Sequence, residues 1–287
     1  MSANEIVVAT DASEPGRAAV RWAARQAQRS DAVLHVVHAY EWNWQGARFD
    51  GGEDILALAT NAAEKIVADA RLAAHEIAPS LPVRRTAEIG APAQVILRAA
   101  ESARMVVVGN RGRGGFASLL LGSVGHRVAA HAACPVAVVR GRVDTTLGPV
   151  VVGADGSPAG AHAVELAFGE AAARGAELVA VRAWSPPVPA WGDDMQPLIY
   201  DPVERDATER QALADLLAPW REKYPQVPVE ALVTKHNAAR VLVGVSHTAQ
   251  LLVVGNRGFG VFAGTVLGSV SSQLLHHADC PVLIARA

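Results

Sequence analysis

The chain repeats itself. "GNRGRGGFASLLLGSV" (109–124) returns as "GNRGFGVFAGTVLGSV" (255–270), and eleven of the sixteen positions are identical without a gap. The repetition extends well beyond this stretch. "IVVATDASEPGRAAVRWAARQA" (6–27) matches "VVVGADGSPAGAHAVELAFGEA" (150–171), "AVLHVVHAY" (32–40) matches "ELVAVRAWS" (177–185), and "MVVVGNRG" (105–112) matches "LLVVGNRG" (251–258). The offset is 144 residues at Asp11/Asp155 and 146 at Gly109/Gly255, so the copies differ in length only in their middle loops. A period this long excludes a solenoid, whose units run to about 50 residues. A chain of 287 residues instead suits two domains of roughly 150 residues each. Residues 1–140 are expected to form the first and 149–287 the second, with 141–148 (charge, two threonines and two glycines) as the linker.

Inside each copy, short β-branched runs alternate with alanine-rich stretches of helical spacing. In the first copy the runs are 6–10, 33–39, 83–88, 105–109 and 136–139; the helical stretches are 14–29, 53–78, 92–102 and 123–132. Continuous apolar strands, each followed by a helix, predict an α/β fold with a parallel sheet covered on both faces. Five strands and four helices per copy is the expected count. Ser13 and Ser157 stand where a helix N-cap belongs, and Pro158 follows at the first helical position.

Composition narrows the function classes. A net charge of -2 gives no electrostatic case for a nucleic acid or an anionic membrane as partner. No apolar run reaches the ~18 residues a membrane span needs. The start "MSANEIVVAT" has no basic segment leading into an apolar one, so a cytoplasmic location is expected. The two cysteines, Cys134 and Cys280, occupy matching places beside apolar strands and read as small core residues in a reducing compartment.

Ligands of open α/β sheets bind beyond the carboxyl ends of the strands, where the strand order reverses. Two pieces end at that edge in each copy: Asp11 or Asp155 after the first strand, and the glycine-rich turn after the fourth. Gly109 and Gly112 are expected to permit positive φ and a close approach of backbone N–H groups to an anion. Gly122 and Ser123 then open a helical pattern, and a helix start with a serine hydroxyl favours phosphate. Gly255, Gly258, Gly268 and Ser269 repeat the set. A P-loop is excluded because no lysine precedes Ser123 or Ser269. A dinucleotide fingerprint fails because Ala117 stands where its third glycine would fall. Arg111 and Arg257 either touch phosphate or solvate the loop; Asp11 either meets the ligand or caps the following helix. Trp42, Trp44, Trp184 and Trp191 lie in the loops after the second strand, as lids or as loop packing. His126 is matched by Ser272, which favours a surface or helix role.

G-x2-G-x9-G-S after a fourth strand, with an aspartate after the first, resembles the nucleotide-binding class of universal stress proteins. The likeness covers essentially the whole chain as a tandem of two such domains. It implies a strand order of 3-2-1-4-5 in each, and ATP bound where strands 1 and 4 part. Gly109, Gly112, Gly122 and Ser123 would meet phosphates and ribose, Asp11 the ribose or adenine region, and the backbone of Ala39 the adenine edge. The second site would use Asp155, Ala183, Gly255, Gly258, Gly268 and Ser269. Any Mg²⁺ would arrive with the triphosphate and keep most of its waters. One departure concerns helix 3. The first copy has "GAPAQVI" (90–96), close to the family's G-x-P, whereas the second has "HNAARVL" (236–242).

No nucleophile–base–orienter set accompanies the turns in both copies. The first reading is therefore a non-enzymatic, ATP-binding regulator in a stress or dormancy response. A slow ATPase or phosphoryl-transfer enzyme using the same sites is the alternative, and an interaction scaffold with one empty site a third. As the outermost strand of the implied order, strand 5 would leave an open edge. "PVAVV" (135–139) and "PVLIA" (281–285) are therefore expected to pair antiparallel, making an intrachain pseudo-dimer with both sites away from the seam. A further homodimer through another surface is compatible with this.

Overall fold

The computed structural model describes residues 3–41, 52–112, 121–185, 201–258 and 267–286. The first half runs β1 (Ala3–Ala9), α1 (Glu14–Arg29), β2 (Val33–Tyr40), α2 (Gly52–Ile77), β3 (Val83–Ile89), α3 (Pro92–Ala99), β4 (Ala103–Gly109), α4 (Ser123–His131) and β5 (Val136–Val139). The second repeats it as β6 (Val150–Gly153), α5 (Pro158–Arg174), β7 (Leu178–Ala183), α6 (Pro202–Lys223), β8 (Val229–Thr234), α7 (Ala238–Ser246), β9 (Leu251–Gly255), α8 (Ser269–His277) and β10 (Val282–Ala285).

The strands form one sheet of ten, in the order β3-β2-β1-β4-β5-β10-β9-β6-β7-β8. Each half is parallel and keeps the 3-2-1-4-5 order. The halves join through β5 and β10, which run antiparallel with Val138 opposite Val282, Ala137 opposite Leu283 and Val136 opposite Ile284. The expected pairing of the fifth strands is therefore present. It also changes the architecture from two separate parallel sheets to one mixed sheet, because pairing the two open edges merges them. Proline at the head of each fifth strand costs no ladder bond. Only the carbonyls of Pro135 and Pro281 are used, accepting from Val106 N and Leu252 N at 3.0 Å each.

Side chains alternate across the sheet, as the pleat requires. Ile6 and Val8 face one core with Trp22 of α1, Val67 of α2, Phe168 of α5 and Leu213 of α6. Val7 faces the other with Val95 of α3, Val128 of α4, Leu242 of α7 and Leu274 of α8. Each core runs across both halves. The helix after strand 1 and the helix after strand 4 thus leave the sheet on opposite faces, and this opens a crevice between neighbouring strand ends in each half.

Candidate functional site

The crevice in the first half lies between the ends of β1 and β4, that in the second between β6 and β9. Backbone bonds close each glycine-rich loop onto its strand. Asn110 N donates to Val139 O at 3.1 Å and Gly122 N to Asn110 O at 2.8 Å; Asn256 N to Ala285 O and Gly268 N to Asn256 O repeat these at 3.1 and 2.8 Å. The start of α4 or α8 is thereby held over the strand end. Gly122 and Gly268 are the N-caps, extended at φ -72° and -69°, and carry no side chain to accept from the first helical amides. The helices α1, α5 and α7 differ: Ser13, Ser157 and Asn237 each accept from an amide of the first turn. An uncapped helix start, with Ser123 or Ser269 as its first residue, presents N–H groups and a hydroxyl suited to an anion.

Asp11 and Asp155 are built into the opposite wall. Asp11 Oδ1 accepts from Ser13 N at 3.0 Å and Ser13 Oγ at 2.5 Å, while Ser13 Oγ accepts from Gly16 N at 3.2 Å. Asp155 repeats the pattern with Ser157 at 3.0 and 2.7 Å, and Gly160 N donates to Ser157 Oγ at 3.1 Å. Serine is therefore the cap, and the aspartate holds the serine. Each carboxylate is also wedged between two glycines. A Cβ at Gly16 would lie 2.8 Å from Asp11 Oδ1, and one at Gly112 would lie 2.7 Å from Oδ2. At Gly160 and Gly258 the distances to Asp155 are 2.3 and 2.5 Å. Gly16 and Gly160 escaped the sequence reading because they sit inside a helix. Their signal was a shared place five residues after each aspartate.

The glycines of the turn act through space rather than through φ. None of Gly109, Gly112, Gly122 or their counterparts has φ in the left-handed region, which corrects the expectation for Gly109 and Gly112. Gly109 is needed because a Cβ would meet Pro15 O at 2.7 Å, and Gly255 because one would meet Ala159 C at 2.8 Å. These two let the first turn of α1 or α5 sit against the strand end. Gly122 and Gly268 are different: the nearest atoms to an added Cβ are at 3.7 and 3.4 Å, ordinary contact distances. Among the described residues, nothing in the protein's own packing requires glycine there.

In the second half the pieces enclose a cavity of about 580 Å³. Asp155, Ala183, Gly255, Gly258, Gly268 and Ser269, all six residues read from the sequence for this site, line it. Val181, Leu242 and Val254 add an apolar wall, and Arg257, Ser271 and Ser272 add polar groups. Helix α7 keeps its place despite lacking G-x-P. Asn237 Oδ1 accepts from Arg240 N at 3.1 Å, and Ala238 and Leu242 reach the cavity. In the first half Pro92 begins α3, and Ala39, at the end of β2, pairs with Glu88. Ser271 Oγ donates to Gly255 O at 2.7 Å, a tie between helix and strand that Gly125 cannot make in the first half.

Other candidates fall away from the site. Burial pushes the thiols of Cys134 and Cys280 up to about 11 and about 12, so both are inert core groups. Trp184 is buried and its indole N–H donates to Asp206 Oδ1 at 3.2 Å, a packing role. Trp42, Trp44 and Trp191 lie outside the described residues. His126 is exposed on α4. Among the described residues no group of three His, Cys, Asp or Glu could hold a metal ion, and no helix is long and apolar enough to cross a membrane.

Comparison with known proteins places this arrangement in context. The pattern of the universal stress protein family matches residues 3–140 and again 147–286. A universal stress protein of Mycolicibacterium smegmatis is 37% identical over 299 residues, covering 98% of this chain and 96% of that protein. One from Mycobacterium tuberculosis strain H37Rv is 38% identical over 302 residues, again covering 98% and 96%. The crystal structure of a universal stress protein from Archaeoglobus fulgidus matches with a TM-score of 0.74 at 18% identity. It covers 100% of this chain and 99% of that one, a likeness of fold.

Proposed function

The chain belongs to the universal stress protein family, and from that premise we propose that it binds ATP at two sites, one per half, as a regulatory ligand. Residues 1–140 and 149–287, joined by 141–148, are taken as two domains with one site each, fused through the shared sheet and its two cores. The observation that carries the reading is the convergence of Asp155, Ala183, Gly255, Gly258, Gly268 and Ser269 on one cavity. Its volume of about 580 Å³ falls within the range of small-molecule sites.

Each end of a nucleotide has a suitable partner. The uncapped start of α8 and the Ser269 hydroxyl suit phosphate oxygens, and Arg257 adds positive charge beside them. Asp155, an acceptor held firmly by Ser157, suits the hydroxyls of a ribose. The apolar wall of Val181 and Leu242, next to the backbone of Ala183, suits a base. Asp11, Ala39, Gly109, Gly112, Gly122 and Ser123 would do the same in the first half. A bound triphosphate would bring Mg²⁺ with it, since the described residues offer no cluster to hold the ion. The role assigned is a cytoplasmic, nucleotide-dependent regulator of a stress or dormancy response, without turnover.

The test is to denature the purified protein and identify any released nucleotide by chromatography. Two equivalents of adenine nucleotide per chain are expected. Incubation with ATP and Mg²⁺ for hours should then yield no ADP above a protein-free control. Steady ADP release would replace the regulatory reading with the slow ATPase.

A further inference from the structure

The two phosphate-facing helices are anchored differently at their two ends. At its start each is tied to its own half by the loop-closing bond from Gly122 N or Gly268 N. At its end each is held from the other half. Arg140, the residue after β5, donates through Nη1 to Leu274 O at 3.2 Å and Leu275 O at 2.5 Å, in the last turns of α8. Arg286, the residue after β10, donates through Nη2 to Ala129 O of α4. The two arginines are 146 residues apart, as are Ala129 and Leu275, so the exchange is reciprocal. Helix ends leave carbonyls without intrahelical partners and carry partial negative charge, which an arginine both bonds and neutralises.

We propose that Arg140 and Arg286 are positioning residues for the nucleotide site of the opposite half. This rests on the ATP sites proposed above. Arg140 belongs by sequence to the first half, but it sets the axial position and field of α8, whose start faces the second site. Arg286 does the same for α4 and the first site. Each helix has nine residues, so its end lies only about 13 Å from its start. A cation at the carboxyl end offsets the negative pole there, so that an anion at the amino end meets a more positive field. The antiparallel β5–β10 seam makes the exchange possible, because it delivers each arginine beneath the partner helix.

The experiment is calorimetric titration of the full chain with ATP and Mg²⁺. Gly122→Val is expected to leave only the second site and Gly268→Val only the first, each lowering the stoichiometry from two to one. Adding Arg140→Gln to the Gly122→Val protein should raise the remaining Kd by roughly two- to fivefold. The same change in the Gly268→Val protein should leave Kd unaltered, and Arg286→Gln should give the reverse pattern. If Arg140→Gln does not fold, Arg140→Lys, which keeps the charge but not the two-carbonyl reach, should give a smaller rise confined to the second site. A merely structural role would weaken both sites together, and that outcome overturns the proposal. So does a change confined to the arginine's own half, or none at all. Failure of the parent protein to bind ATP, or of the glycine variants to lower the stoichiometry, would remove the site assignment and this inference with it.

Discussion

At the scale of single residues, the glycines separate into two kinds that the sequence shows as one. Gly109 and Gly112 leave room for Pro15 and Asp11, whereas a Cβ at Gly122 would come no nearer than 3.7 Å to any described residue beyond its chain neighbours, at an ordinary φ of -72°. A Gly122→Val, Gly268→Val protein should therefore fold, with stability within about 1 kcal/mol of the parent, because valine is only a poorer N-cap. It should also retain no ATP, because the branched side chain projects where phosphate would approach the helix start. Melting curves and nucleotide content check both halves of that statement; undiminished nucleotide would end the assignment. Asp11 carries two duties, holding the Ser13 cap and facing Gly112. Asp11→Ala should lower ATP affinity by about 1–3 kcal/mol, the scale of a lost charge-assisted bond, and fold stability by about 1 kcal/mol. Calorimetry and thermal melts on the same sample measure the two effects. Duplication made these residues legible, since a chance glycine seldom recurs at the same spacing. The reason for Gly109 was not legible, because the carbonyl it avoids belongs to Pro15, more than ninety residues away.

At the scale of elements, the strand and helix limits were readable from periodicity; the structure leaves half of those given for the first copy in place and moves most of the rest by a residue or two. Helix α3 ends three residues earlier than its pattern, at Ala99, where the chain turns into β4. What periodicity could not show is polar chemistry inside the sheet. His35 on β2 is buried, with Nε2 2.9 Å from Thr86 Oγ1 and Nδ1 3.1 Å from Arg84 Nη2, both on β3. Burial, and then the Arg84 charge, push it from 6.5 down to about 4, against the pull of the Glu5 carboxylate on β1, 3.7 Å from Nδ1. The unfolded chain therefore takes up a proton at a pH where the folded chain does not. This group's contribution is fully present above about pH 6.5 and is lost as pH falls toward 4. Stability should decline across that window with a slope of up to about 1.4 kcal/mol per pH unit from this site. His35→Gln should flatten that slope. Denaturant titrations at half-unit pH steps test it, and an unchanged slope in the variant would assign the loss to other groups.

At the scale of the whole molecule, the seam was legible because an open sheet edge demands a partner and each copy supplies one. The polar contact beside it was not, since it depends on two helices from different halves meeting. Gln26 and Glu170 hold equivalent places in the repeat and touch across the seam, Gln26 Nε2 donating to Glu170 Oε1 at 2.6 Å. Arg174 completes the group, donating to Glu170 Oε2 at 3.1 Å and to Gln26 Oε1 at 2.8 Å. With a continuous ten-stranded sheet, two cores shared by both halves and a buried polar bridge between them, neither half has a boundary at which to unfold alone. The chain should therefore melt in one cooperative transition. ATP bound at either site then stabilises the whole, by about 2.7 kcal/mol per occupied site at a hundredfold excess over Kd. Gly122→Val should retain about half of the ATP-induced rise while keeping a single transition, because the remaining site still acts on the entire sheet. Differential scanning calorimetry with and without ATP reads this directly. Two transitions, of which ATP moves only one, would mean that the seam joins the halves without coupling their stabilities.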